Sequence, residues 1–331
     1  MAGFLAGAFL TPQGYAENVN KKMAQTGMQF LSVVSDAKGA GMAEAMTSLE
    51  FGSSSLFFNP AGMANMKTRV DASMSLNQWI ADIEHNTFSL ALSPARGEYG
   101  VVGFSFQYVD YGTFIGTRVE KGTDLAYTDT DVFTLSAWAA GVGYAKRLTD
   151  RFSVGGHVRW IHQNLGESVV PDILTPSDTT ERKVSNTQTP MAFDFGTQFK
   201  TGIKSLVFGM SVRNFSKQVK YVEEGFQLPL VFNLGISMNV MDLIGKTPFD
   251  QSLVVSIDAS HHRDHPEQLK FGLEYTALGM LSLRGGYVSN NDEDGISFGM
   301  GISRYGLTVD YTVTPFGVFT EVQRMTVRFS L

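Results

Sequence analysis

From Val70 to Leu331 the chain alternates apolar and polar residues with a period of two, segment after segment. That habit restricts it to half-buried β-strands. Leu269, Phe271, Leu273 and Tyr275 hold one parity, and Lys270, Gly272, Glu274 and Thr276 hold the other. The split recurs in Leu307, Val309 and Tyr311 against Thr308, Asp310 and Thr312, and in Met325, Val327, Phe329 and Leu331 against Arg324, Thr326, Arg328 and Ser330. It returns in Leu206, Phe208, Met210 and Val212 against Ser211 and Arg213, and in Met191, Phe193, Phe195 and Phe199 against Asp194 and Gln198. One face of such strands suits lipid and the other does not.

The segments fall at 69–79, 84–94, 99–110, 131–147, 149–163, 191–199, 204–215, 229–240, 251–261, 268–276, 279–290, 295–304, 306–313 and 319–331. This is an even set of about fourteen strands, most near the ~9–11 residues that cross a bilayer at a tilt. The connections sort as well. Long ones follow odd-numbered strands, at Tyr111–Thr130, Asn164–Pro190 and Ser216–Leu228. Tight ones such as Leu148–Asp150 and Tyr305–Gly306 follow even-numbered strands, with Met241–Asp250 the exception. Short turns on one rim and long loops on the other predict an all-β transmembrane antiparallel barrel in the bacterial outer membrane, with loops extracellular and termini periplasmic. The competing soluble β-rich binding protein requires the same outward aromatics to form a core.

Composition agrees where it discriminates. Aromatics make up 12% of the chain and charged residues only 18%, with 34 glycines among 331 residues, which suits strands, turns and a sparsely charged surface. No run of about 18 apolar residues is present to form a spanning helix. The lack of cysteine excludes disulfides, thiol nucleophiles and Cys-ligated metals, and a net charge of -6 argues against nucleic-acid partners.

Before Val70 the alternation is missing. Residues 1–16 have the small, apolar character of a signal-peptide remnant, with Gly14-Tyr15-Ala16 as a small-x-small site but without a basic leader. Residues 17–66, rich in Ala, Met and Gly, are expected to form a short plug of helix and loops, leaving 67–331 for the barrel. Between them stand Phe57, Phe58, Asn59, Pro60 and Gly62. Pro60 fixes φ and pushes Asn59 toward extended backbone, and Gly62 permits a sharp bend, so the stretch is expected to be the joint between plug and wall. An ordinary turn between two strands is the competing reading.

The inward parity collects His157, Arg159, Asp194, Arg213, Asp258, Lys270, Glu274, Arg284, Asp310, Arg324 and Arg328. Both signs are present, so strong ion selectivity is not indicated. Such a polar lumen either passes a solute, anchors the plug, or forms a salt-bridged filling, which is the preferred reading; in each case buried charges must be paired. His261, His262, Asp264 and His265 have loose spacing and read as a solvated turn, not a metal site. Asn290–Asp294 reads as a hairpin tip. No phosphate loop, dinucleotide fingerprint or nucleophile elbow is present, so no enzyme and no cofactor are expected.

Three groups of residues resemble a known family. Phe30-Leu31 through Asp36-Ala37-Lys38, Gly41-Met42-Ala43-Glu44-Ala45 and Phe57-Phe58-Asn59-Pro60-Ala61-Gly62 look like the N-terminal pattern of the PorV/PorQ family, and Asn-Pro-Ala-Gly is also similar to FadL-type transporters. Leu283–Tyr287, Gly295–Gly299, Pro315-Phe316-Gly317 and Gln323-Arg324 resemble that family's closing strands. The resemblance implies a fourteen-stranded outer-membrane accessory barrel of type IX secretion, working among outer-membrane lipid with secreted cargo proteins or secretion-system membrane components as partners. Docking then falls to the longest loops, with Tyr111, Phe114, Tyr127, Ile173 and Leu174 as anchors. The alternative is a FadL-like transporter of hydrophobic small molecules.

Overall fold

Each alternating segment forms a strand that turns its polar parity toward one enclosed axis. The computed structural model describes residues 26–119, 127–171, 181–221, 225–244, 249–291, 295–317, 319 and 321–331. The proposed signal remnant, Ile173, Leu174 and Asp292–Asp294 lie outside the described residues. The strands are β1 Val70–Gln78, β2 Glu84–Leu92, β3 Val101–Val119, β4 Tyr127–Arg147, β5 Phe152–Pro171, β6 Glu181–Gln188, β7 Met191–Lys200, β8 Val207–Phe215, β9 Val219–Lys220, β10 Gly225–Phe226, β11 Val231–Asn239, β12 Gln251–His262, β13 Gln268–Ala277, β14 Leu281–Val288, β15 Ile296–Arg304, β16 Leu307–Thr314 and β17 Val322–Ser330.

One antiparallel sheet takes in fifteen of these strands, β9 and β10 pair apart, and β1–β17 and β4–β5 pairings complete the ring. Both β6 and β7 pair with β5, end to end, so they share one stave and the wall has fourteen. Thr189 and Pro190 break that stave. Closure leaves no edge inside the bilayer, which is what a membrane requires of a sheet. On β13 the exposed Leu269, Phe271 and Leu273 alternate with the buried Lys270 and Glu274. Placing arginine at Leu273, near the middle of that strand, is expected to cost about 2–4 kcal/mol of barrel stability. The heat-induced mobility shift of the folded barrel in lipid would report it.

The strands exceed expectation at one rim. The segments expected as loops, Tyr111–Thr130 and Asn164–Pro190, carry β3 and β4 onward in one place and β5 and β6 in the other. Pairing of β4 with β5 stops at Ser136 and Asn164, so among the described residues two separate hairpin arms rise above the ring. Register shifts mark both departures, between Asp110 and Thr113 and between Asn164 and Glu167. A left-handed glycine sits in each, Gly112 at φ 74 and Gly166 at φ 79, as bulges that bend a strand require. Above the bilayer no lipid selects an apolar face, so the period-two pattern fades while the strand persists.

Residues 26–66 occupy the lumen. They form 3-10 turns at Gln29–Ser32, Gly52–Phe57 and Pro60–Met63 and a short helix, α1, at Ala37–Gly41. The Asp36 side chain caps α1 by accepting from Gly39 N at 2.9 Å. Three apolar clusters follow the descent. Met28, Phe30 and Leu31 pack with Val109, Ile161 and Leu228 under the arms; Met42, Met46, Phe51 and Phe58 fill the middle; Leu56 and Met63 meet Ala91, Val101 and Ala145 near the short turns.

Candidate functional site

The inward charges of the wall are tied to the plug, mostly across very long sequence separations. Lys38 Nζ lies 2.8 Å from Glu274, which also accepts from Arg284, and Arg284 donates to Asp310 at 2.7 Å. Lys270 pairs with Glu44 at 2.7 Å. Arg328 reaches Asp36 at 3.3 Å and Ser54 Oγ at 3.0 Å, with its guanidinium 3.8 Å from the Phe51 ring centre. Arg324 donates to the Val34 carbonyl at 2.9 Å and to Thr314 at 2.7 Å. Asp258 accepts from the Thr47 N–H at 2.9 Å. Ion pairs largely withdrawn from water favour one arrangement of plug and wall.

A second group joins wall to wall. Asp194 sits between Arg159 at 2.7 Å and His157 at 3.0 Å, and it accepts from the Asn214 N–H at 2.7 Å. Asn214 has φ 62, a left-handed conformation that asparagine tolerates, and here the register between β7 and β8 slips. The slip turns Asn214 inward beside Arg213 and puts Phe215 outside. Arg213 has no direct ion pair among the described residues; Asp194 and Glu44 are the acids acting on it.

Phe57, Phe58, Asn59, Pro60 and Gly62 do not form the passage from plug to wall. All lie within the lumen, and residues 65–69 make the passage before β1 begins. Asn59 is extended at φ -146 and ψ 105, as a residue before proline should be, and Pro60 opens the next 3-10 turn. The Asn59 amide donates to the carbonyls of Thr47 at 2.7 Å and Thr197 at 3.0 Å. Gly62 is needed for space, since a Cβ there would lie 2.9 Å from the Leu49 carbonyl. Wall glycines serve the same close approach: a Cβ at Gly155 would stand 2.5 Å from Ala61 N, and one at Gly209 2.3 Å from the Thr47 carbonyl.

The chambers between plug and wall are small. Among the described residues, chambers of about 20 Å³ adjoin Arg213 and Lys270 on one side and Ala43 and Arg324 on another, and one of about 10 Å³ adjoins Asp36 and Arg159. Each suits roughly one water, whereas a benzene-sized molecule takes a cavity of about 150 Å³.

At the rim below the arms, Asp264 accepts from Thr26 at 2.6 Å and Gln29 at 2.7 Å and lies 3.2 Å from His265. The histidine-rich turn thus ties the first described plug residues to the wall. Burial alone would raise the Asp264 pKa, but hydrogen bonds from His265, Thr26 and Gln29 outweigh it and hold the carboxyl below its usual range. A depressed pKa makes the tether complete above the ordinary carboxylate value of about 3.9 and weakens it as pH falls toward the lower folded value. Limited proteolysis between residues 26 and 33 is expected to accelerate only in strong acid for the native chain, and already at neutral pH for Asp264→Asn.

The arms place the expected docking residues differently. Phe114 and Tyr127 are exposed on the β3–β4 arm, where Phe114 stacks on Phe133 at 5.8 Å and Ile115 and Val132 are 65% and 63% exposed. Tyr111 packs partly against the Met28 cluster at the arm's foot. Sequence reasoning missed the plug charges Asp36, Lys38 and Glu44, the bulge residue Asn214, and Ile115, Val132 and Phe133. The consecutive inward positions Arg213-Asn214 before Phe215 break the alternation, and that break was the available signal for the bulge.

A closed antiparallel ring with apolar outward and polar inward residues defines a transmembrane β-barrel protein of the bacterial outer membrane. The chain belongs to the family described as Type IX secretion system protein PorV, which matches residues 16–246. Membership associates it with the components of type IX secretion. No curated protein sequence matches the chain. Among solved structures, the toluene transporter TbuX of Ralstonia pickettii is 11% identical, with 89% of this chain and 98% of that one covered and a TM-score of 0.57. The monoaromatic hydrocarbon channel CymD gives 12% identity, 90% and 97% coverage and a TM-score of 0.60. A FadL homologue from Pseudomonas aeruginosa gives 14%, 89% and 98%, and 0.52. At such identities the likeness is one of fold.

Proposed function

We propose that this barrel is an accessory of a type IX-like secretion system that docks secreted cargo or attachment and translocon partners on its extracellular arms, without catalysing a reaction. The β3–β4 arm is the observation that carries this reading. The last β2–β3 pair is Glu84 with Asp110, so from Tyr111 onward β3 has no neighbour on that side among the described residues. An unpaired edge with Thr113, Phe114, Ile115 and Thr117 is a template for strand addition, with alternate side chains giving specificity. The β6 edge of the other arm carries the exposed Lys183, a residue type that blunts an edge. In this orientation the short turns and Leu331 face the periplasm, while Thr26 sits at the opposite rim, beside Asp264.

Transport of a hydrophobic molecule is the competing function, and the water-sized chambers between plug and wall weigh against it. The test is extraction from outer membranes in mild detergent, with the native chain and with Phe114→Ala/Ile115→Ala/Phe133→Ala. The native barrel is expected to bring secreted proteins sharing a C-terminal domain, or large secretion-system membrane components. The triple variant should lose them, since central anchors contribute about 2 kcal/mol or more each. A lone barrel carrying fatty acid would overturn the reading.

A further inference from the structure

At the short-turn rim, far from the arms, a cleft of about 540 Å³ opens on the outer surface between the start of β1 and the β2–β3 turn. Its size is that of a small-molecule site. Arg69 and Arg96 stand at its polar end, and among the described residues neither guanidinium has a hydrogen-bond or ion-pair partner. Ser93, also at the cleft, is only 3% exposed, and its hydroxyl, without a partner among the described residues, is buried on the inward side, away from the cleft. The turn is held in an unusual shape, with Ala95 at φ 49 and Arg96 at φ 54, both left-handed. Among the described residues no carboxylate lines the cleft.

The other walls are apolar and belong to the lipid face. Leu92, Val102 and Phe104 line it, and the strand register sets Leu92 beside Val102 and Phe104 beside Leu90. Above them Phe88 pairs with Phe106, both exposed, so an apolar track rises from the cleft along β2 and β3 toward the middle of the bilayer. Two exposed, unpaired guanidinium groups at the interface, continuous with a hydrocarbon track, match a phosphate with acyl chains attached. We propose that this cleft binds one glycerophospholipid of the inner leaflet, with the headgroup phosphate on Arg69 and Arg96 and an acyl chain along Leu92, Phe104, Phe88 and Phe106.

This site is separate from docking on the arms and stands or falls without it. The test is native mass spectrometry of the full chain in mild detergent, titrated with dioleoylphosphatidylglycerol, with dioleoylglycerol and with inorganic phosphate. One saturable phosphatidylglycerol adduct is expected. Arg69→Ala/Arg96→Ala should weaken it about thirtyfold, at roughly 1 kcal/mol per interfacial arginine, with the barrel still folded by its gel mobility. Arg69→Lys/Arg96→Lys should retain most of the binding. Equal binding of dioleoylglycerol would overturn phosphate recognition, and displacement of the lipid by inorganic phosphate would reassign the site to a free anion. Unchanged binding by the alanine pair would overturn the proposal altogether.

Discussion

Replacing Arg284 with methionine is expected to destabilise the folded barrel by about 3–5 kcal/mol, because it strands the buried Asp310 carboxylate and takes from Glu274 one of its two cationic partners. The Arg284 side chain is 3% exposed and holds Glu274 on one side and Asp310, itself wholly buried, on the other. Glu274 keeps Lys38 at 2.8 Å, whereas Asp310 loses its only ion pair among the described residues. Methionine fills much of the volume, so the loss is electrostatic. A drop in the midpoint of heat-induced mobility change on the order of 10 °C would report it. Adding Asp310→Asn should recover part of the loss, since neighbours in one network are not additive. An unaltered midpoint for the single variant would mean that these groups are solvated and unpaired.

Gly209→Val is expected to drive the plug from its seat. A side chain at that position meets the Thr47 carbonyl at 2.3 Å and its carbonyl carbon at 2.7 Å, and backbone cannot step aside as a flexible side chain would. Thr47 is held besides by Asp258 on its N–H and by Asn59 on its carbonyl. Overpacking of a core costs roughly 1–3 kcal/mol when neighbours can shift, and here the shift required is withdrawal of the plug turn. The variant should become cleavable within residues 26–66 and conduct small ions in a planar bilayer, where the native barrel stays silent. A variant as closed and resistant as the native chain would show that the plug is not seated against the wall.

What the sequence made legible was what lipid imposes. On β13 and β17 every second residue is chosen by hydrocarbon, so strand number, parity and the inward set from Arg159 to Arg328 could be read directly. Beyond Asp110 and Asn164 that selection ends, and two hairpin arms resembled loops. Asn59 and Pro60 announced their own backbone, but local chemistry does not say whether a turn sits at a rim or inside a lumen. The partners of the wall charges were invisible for a different reason. Asp36, Lys38 and Glu44 lie in a stretch without periodicity, and their contacts with Arg328, Glu274 and Lys270 span 292, 236 and 226 residues.

On the proposed reading the plug and the arms divide the work of the molecule: one fills the lumen and the other presents an edge to partners. The most direct test is secretion by bacteria whose chromosomal copy carries the Phe114→Ala/Ile115→Ala/Phe133→Ala arm. With the barrel at native abundance in the outer membrane, secreted cargo is predicted to fall at the cell surface and accumulate in the periplasm. Normal delivery of cargo by that strain, joined to loss of uptake of a hydrophobic solute, would contradict the docking account and return the barrel to transport.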